Sequence, residues 1–336
     1  SSSQRPVRDR HLSNAALEAI ASGPPCPPEA NSSFAQSHSE LTVPPPLEHV
    51  HVYSMILQPT LDDDMDAAGP VSHSEAMSGT NPADWRQAEI SEYNSHVKNN
   101  TFGPPMLKCP PGMTAIPTEL IRKRKRDGRY KARLVIRGYR MEAGRDYNDT
   151  FAPVPTAAGI RIIFAIAAKF DLEAKQGDVR TAFLAPLMDT RIVVTLPAGF
   201  NANPTLEPQS RPKTFHIAIK SIPGAPQSPR LWHKDVLTVF KEVNLLPIPD
   251  DPSIFVVEGK RIYLAAWVDD FFFFFPKEEL TTASKIWTHL RSKFDLSAWE
   301  ELTDCLNCQV VRDRANNTIR ITQSLAIEKV LRRAGM

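Results

Sequence analysis

The stretch from Ile262 to Phe275 restricts the fold of this chain more than any other. It runs Ile262-Tyr263-Leu264-Ala265-Ala266-Trp267, then Val268-Asp269-Asp270, then five consecutive phenylalanines. Two apolar runs of β type joined across so short a polar break read as a hairpin. The two carboxylates at its tip cannot lie inside a core without partners, because buried unpaired charge is very costly. A solvent-exposed β-turn would also satisfy them, since Asp favours turns through hydrogen bonds to its own backbone.

A second acid shifts that balance. Asp178 ends a predicted strand, Leu172 to Val179, within Gln176-Gly177-Asp178-Val179-Arg180-Thr181-Ala182-Phe183. If that strand lies beside the hairpin, three carboxylates converge at one edge of a sheet, and divalent cations would relieve their repulsion. Two Mg²⁺ ions about 3.5–4 Å apart would clamp the attacking and leaving oxygens of a phosphoryl transfer. Oxygen ligands suit Mg²⁺, which keeps much of its water and binds substrate phosphates.

A third element is basic. Residues 120 to 137 read as a hairpin turning at Asp127-Gly128, and ten Lys or Arg with one acid lie between Arg122 and Arg140. Such a run is ordinarily a solvated face or a nuclear-import signal. Here Lys131 and Arg133 fall on one side of a strand and Leu134 on the other. That spacing can hold two cations against a triphosphate, Arg by bidentate geometry and Lys as a point charge.

The remaining sequence sets the frame. Residues 1 to 80 carry 10 of the 30 prolines, with Phe34 and Tyr53 as their only aromatics, and read as a disordered Pro/Ser-rich linker. Asp62-Asp63-Asp64 within it reads as a solvated cluster. From residue 81 apolar periodicity sets in, giving one expected domain over 81–336. Helices are expected over Ala83–Asn99 (buried face Trp85, Ile90, Tyr93, Val97), Ala157–Phe170 (Ile160, Ile163, Phe164, Ala167), Arg230–Asn244, Leu280–Phe294 and Ser324–Arg333. Mixed helices and antiparallel pairs predict an α+β domain. A net charge of +2 leaves any argument for nucleic acid to local patches, and four cysteines suit a reducing compartment. No apolar run reaches the roughly 18 residues of a membrane span. The chain opens without Met, which reads as a fragment of a longer polyprotein. Cys305 and Cys308 have the spacing of half a zinc site, but no second pair follows, so they read as ordinary cysteines. His233 reads as a packing or surface residue.

Taken in order, these segments resemble the reverse transcriptases of copia-type retrotransposons. The resemblance covers about Trp85 to Met336. It rests on Lys131-Ala132-Arg133-Leu134-Val135 with Arg137-Gly138, Asp146-Tyr147, Thr150-Phe151-Ala152-Pro153-Val154, and Asp178 to Leu184. It continues at Leu196-Pro197-Ala198-Gly199-Phe200, Gln227-Ser228-Pro229-Arg230-Leu231-Trp232, Val268-Asp269-Asp270 and Arg332 to Met336. It implies a right-hand polymerase with fingers and palm and an antiparallel palm sheet; from the sequence itself, little or no thumb and no ribonuclease H are expected over 81–336. It implies RNA-directed DNA polymerase activity, two Mg²⁺ held by Asp178, Asp269 and Asp270, and a triphosphate held by Lys131 and Arg133. Phe183 matches the residue that crowds the sugar 2′ position, and Gln227, Ser228 and Pro229 match the segment beneath the templating base. The implied partners are an RNA template, a DNA primer, dNTP and other segments of the polyprotein, inside the cell in a cytoplasmic particle or the nucleus.

Several positions depart from the family pattern. Trp267 stands where Tyr is usual, Leu120 where Trp is usual, and Asn307-Cys308 where Gly-Ile is usual. Pro223-Gly224-Ala225-Pro226-Gln227 replaces Tyr-Gly-Leu-Lys-Gln, removing two backbone donors at the nucleotide floor. These departures suggest a degenerate copy. The rival readings are a non-catalytic remnant that keeps the fold and at most binds nucleic acid, and an unrelated module whose basic hairpin does so.

Overall fold

In the computed structural model the backbone is described for residues 71–125, 128–197, 200, 214–306 and 308–334. Backbone contacts divide the chain into Ser1–Ser54 and Met55–Met336, and every described residue belongs to the second unit. The expected linker lies outside the described residues as far as 70, as do Asp127, Ala198, Gly199, Asn307, Gly335 and Met336. The last ten residues of the expected linker are described, and they fold. Helix α1 (His73–Ser78) is closed by a capping box in which Ser72 and Glu75 satisfy each other's backbone donors.

Helix α2 (Pro82–Lys98) lies against a hairpin of β1 (Ala115–Arg124) and β2 (Tyr130–Ile136). The helix is where the sequence predicts it, but it is rotated. Val97 is 55% exposed and Ile90 only half-buried, while Glu89 and His96 are buried. Polar partners turn it: Glu89 Oε1 accepts from Arg122 Nε at 2.6 Å, and Glu92 Oε1 from the Leu134 amide at 2.8 Å. An apolar stripe cannot reveal this, because the partner of each acid is more than 30 residues away.

β1 also runs parallel to β4 (Val193–Thr195), which pairs with β5 (Phe215–Ile217) to make a four-stranded sheet ordered β2-β1-β4-β5. The sequence reading found neither β4 nor β5. Helix α3 (Ala157–Lys169) buries Ile160, Ile163, Phe164 and Ala167, as its periodicity predicts. It precedes β3 (Glu173–Asp178).

After helix α4 (Ser228–Lys241) come β6 (Leu245–Ile248), β7 (Asp251–Val257), β8 (Tyr263–Trp267) and β9 (Asp270–Phe275). Helix α5 (Leu280–Lys293), β10 (Glu300–Glu301), β11 (Asp304–Cys305), β12 (Cys308–Asp313), β13 (Thr318–Thr322) and α6 (Ser324–Arg333) complete the described order. The main sheet has six strands ordered β10-β3-β9-β8-β7-β6, every pair antiparallel. β11, β12 and β13 form a small antiparallel sheet of their own.

The five phenylalanines occupy the middle of the main sheet, and none is more than 3% exposed. Phe271, Phe273 and Phe275 pack with Trp232 and Phe240 of α4 and Trp287 of α5. Phe272 and Phe274 pack on the opposite face with Phe164 of α3 and with Cys305 and Val310 of the small sheet. A strand covered on both faces has no reason to alternate polar with apolar, and the unbroken run follows from that. The mixed helices and antiparallel sheets make this an α+β fold.

Candidate active site

β3 and β9 lie side by side, and their register sets Asp178 opposite Asp270. Opposed residues of an antiparallel pair point to the same face, with Cα atoms about 4.5–5.5 Å apart. That face also carries Gln176 and Phe272, which are likewise opposed. Asp269 occupies the two-residue turn between Trp267 and Asp270, themselves a cross-strand pair. The three acids predicted from sequence therefore share one end of neighbouring strands, with Asp178 and Asp269 exposed and Asp270 half-buried.

Backbone bonds fix this end of the sheet from two sides. The Val179 amide donates to Asp269 O at 2.7 Å, joining the β3 end to the acidic turn. The Asp178 amide donates to Ser297 Oγ at 3.1 Å, and the Ser297 amide returns a bond to Asp178 O at 3.0 Å. Gly177 has no room for a side chain, since a Cβ would lie 2.5 Å from Trp287 Cζ2. The turn itself is strained: Val268 has φ 51°, left-handed. That region is an outlier for a β-branched residue and costs roughly 1–3 kcal/mol, which the surrounding structure must offset. Trp232 Nε1 donates to Val268 O at 2.6 Å.

The carboxylate end adjoins a buried thiol. Burial holds the Cys305 thiol well above its usual range, and the charges of Cys308 and Asp270 push it in the same direction. Cys305 and Cys308 are opposed across β11 and β12, both buried and both free. Their raised thiol pKa values mark them as unreactive core cysteines.

The carboxylates supply oxygen donors from adjacent strands, a donor set suited to Mg²⁺. Among the described residues no three His, Cys, Asp or Glu side chains stand close enough to hold an ion by themselves. Mg²⁺ is commonly held through one or two carboxylates plus substrate phosphates, so the placement fits such an ion without an all-protein cage.

The other expected residues lie elsewhere. Lys131 and Arg133 are exposed on β2 of the four-stranded sheet, with Ala132 and Leu134 buried behind them. Phe183 is half-buried in the short turn Ala182–Leu184, packed against the α4 side of the core. Gln227 is 0% exposed, and its Nε2 is within 3.1 Å of Asp146 O and 3.3 Å of Thr190 Oγ1. The amide nitrogen is thus committed to protein partners, while its Oε1 is buried with no hydrogen-bond partner among the described residues. Trp267 is half-buried and packs toward the α3 side of the core.

The two prolines do not damage their segment. Pro223 precedes Gly224, which has φ 89°, and the Ala225 amide donates to Ile222 O at 3.2 Å. This is the Pro-Gly arrangement of a type II turn. Pro226 occupies the same first central position in the next turn, closed by Ser228 N to Ala225 O at 3.0 Å. Neither position needs a backbone donor, and the Ile136 amide still reaches Pro223 O at 2.9 Å. The expectation that these prolines spoil backbone bonding is corrected. Trp232, Ser297 and Gly177 are the parts of the site that sequence reasoning missed as such. Gly177 and Trp232 lay within segments the sequence singled out, without a role of their own, and Ser297 carried no signal.

The family model described as reverse transcriptase (RNA-dependent DNA polymerase) matches residues 99–336. The chain is 30% identical over 279 residues to the retrovirus-related Pol polyprotein from transposon TNT 1-94 of Nicotiana tabacum, covering 81% of this chain and 20% of that protein. It is 35% identical over 195 residues to the Pol polyprotein from transposon RE2 of Arabidopsis thaliana, covering 55% of this chain and 13% of that one. The chain thus spans about a fifth or less of the length of these relatives. Among solved structures, the foamy viral protease–reverse transcriptase in complex with ds DNA aligns with TM-score 0.39 at 13% identity, covering 74% of this chain and 37% of that one.

Proposed function

The chain belongs to the reverse transcriptase (RNA-dependent DNA polymerase) family, in the form found in copia-type retrotransposon polyproteins, and from that membership we propose that it extends a DNA primer along an RNA template. The reaction is attack of the primer 3′-hydroxyl on the α-phosphate of a dNTP, with pyrophosphate leaving. The observation that carries this reading is the cross-strand pairing of Asp178 with Asp270 beside the turn that bears Asp269.

In this reading Asp178, Asp269 and Asp270 hold two Mg²⁺ ions. When bound, such ions offset phosphate charge and align the attacking and leaving oxygens. Lys131 and Arg133 hold the triphosphate from the fingers hairpin, as exposed cations on a strand anchored by its buried face. Phe183 stands near the sugar and rejects a 2′-hydroxyl, while Gln227 stiffens the floor beneath the templating base. Template and primer are gripped mainly through phosphates, so binding weakens as salt rises. Other segments of the polyprotein are natural partners, in a particle in the cytoplasm or in the nucleus. Among the described residues no helix is long and apolar enough to cross a membrane.

A degenerate, non-catalytic copy is the second reading, favoured by Trp267 in place of the usual tyrosine beside the acids. The two prolines no longer favour it, because both serve their turns. Primer extension with Mg²⁺, on the chain as it stands and on Asp269→Asn, separates the two. Extension that falls to background in Asp269→Asn, with duplex affinity nearly unchanged, supports the polymerase. Absent extension with template binding intact would leave the remnant reading.

A further inference from the structure

We infer that Trp232 is a positioning residue for the acidic turn: its indole N–H holds Val268 in the left-handed region and so sets the direction in which Asp269 and Asp270 present their carboxylates. The inference rests on the proposed role of those acids as metal ligands. Val268 at φ 51° leads a turn of only two residues between the paired Trp267 and Asp270. A β-branched residue keeps such a conformation only when its surroundings over-determine it. The Val268 carbonyl accepts from Trp232 Nε1 at 2.6 Å, and the next carbonyl, Asp269 O, accepts from the Val179 amide at 2.7 Å. Both peptides of the turn are thereby tied, one to α4 and one to β3.

The Trp232 ring is itself fixed. It is buried and meets Phe294 edge-on at 4.9 Å, so the N–H has a single direction. Releasing the Val268 carbonyl lets the turn relax toward negative φ, which rotates the peptide that carries Asp269. A phenylalanine at 232 could fill much of the same space, and only the donor distinguishes the two.

The test uses the full chain with a template–primer duplex and Mn²⁺ as the probe, free Mn²⁺ being read by electron paramagnetic resonance. The unaltered chain is expected to bind Mn²⁺ and Asp269→Asn to lose that binding. Trp232→Phe is expected to weaken it about tenfold, the size of one well-placed hydrogen bond, with duplex affinity and cooperative unfolding retained. Adding Val268→Gly should restore affinity to within about threefold, because glycine takes positive φ without strain. A general packing defect at 232 would gain nothing from glycine at 268. Equal Mn²⁺ binding by the unaltered chain and Asp269→Asn would overturn the metal reading and this inference with it. Loss in Asp269→Asn but not in Trp232→Phe, or no rescue by glycine, would overturn this inference alone. Should Trp232→Phe fail to fold, benzothienylalanine at 232, which replaces the N–H by sulfur in a ring of the same shape, decides by the same outcomes.

Discussion

The six-stranded sheet and the four-stranded sheet of this molecule both rest on apolar clusters, but among the described residues only the smaller one is docked to its helix through a buried ion pair. At the centre of the larger one, β9 buries a phenylalanine at five successive positions, into two cores on opposite faces. The smaller sheet has its own apolar cluster around Ile116, Ile136 and Val194. Its docking to α2 adds to the edge-on contact of Trp85 with Tyr130 two polar links, Arg122 with Glu89 and Glu92 with the Leu134 amide. The apolar centre tolerates approximate fit and answers to volume. The polar dock answers to the identity of each partner, because a buried charge stripped of its mate is worse than no charge at all.

The largest effect should come from Phe273→Ala. Its ring lies against Trp287 at 5.7 Å and Phe275 at 5.3 Å, and its removal should cost roughly 3–5 kcal/mol in urea unfolding. Next, Glu89→Leu should cost roughly 3 kcal/mol by stranding the buried Arg122 guanidinium. Glu89→Leu combined with Arg122→Met should recover most of that. A double variant no better than the single would show the dock to be held by shape, like the core, and the contrast between the sheets would collapse.

A smaller effect sharpens the contrast within the loop beneath β2. Pro223→Ala should destabilise by about 0.4–1 kcal/mol, since proline at this turn position restricts the unfolded chain without losing a native bond. A gain in stability would restore the view that the prolines are defects.

The smallest effect concerns charge at the edge of the main sheet. Asp171 accepts from Arg312 at 2.7 Å and Arg314 at 2.6 Å. The Arg312 bond, followed by those from Arg314 and Lys277, lowers its carboxyl from 3.8 to about 2. A carboxyl depressed on folding stabilises above its unfolded pKa, and that contribution fades as pH falls from about 4 through about 2. The stability gap between the unaltered chain and Asp171→Asn should therefore be open at pH 5 and close toward pH 2. Partial exposure screens this interaction and keeps the gap small. A gap that stays constant over that range would show that Asp171 acts through something other than its charge.

The same division explains what the sequence disclosed. Helix α3 and the β8–β9 hairpin were legible because periodicity and apolar runs are local signals. Asp269 and Asp270 were legible because they break two long apolar runs, and Asp178 because it falls at the end of a predicted strand. The rotation of α2 was not, since it depends on Arg122 and Leu134, which lie far along the chain from the acids they meet. β4 and β5 were missed because three-residue strands leave almost no pattern. The fit of Pro223 and Pro226 became clear only when Gly224 was seen at positive φ. Trp232 looked like one more core aromatic, and its second role depends on a carbonyl 36 residues away.

The phenylalanine strand has a consequence before folding is complete. Five uncharged, β-prone residues in a row are the kind of segment that stacks with copies of itself when left bare. β9 stays bare until β3 and β8 close on either side of it. Its borders are guarded by Asp269 and Asp270 before it and by Pro276, Lys277, Glu278 and Glu279 after it. Charges and a proline in those places are gatekeepers against aggregation. By that rule the acids before the phenylalanine run also oppose stacking of the unfolded chain, and neutralising both should lower the yield of soluble protein even where the finished fold is unchanged.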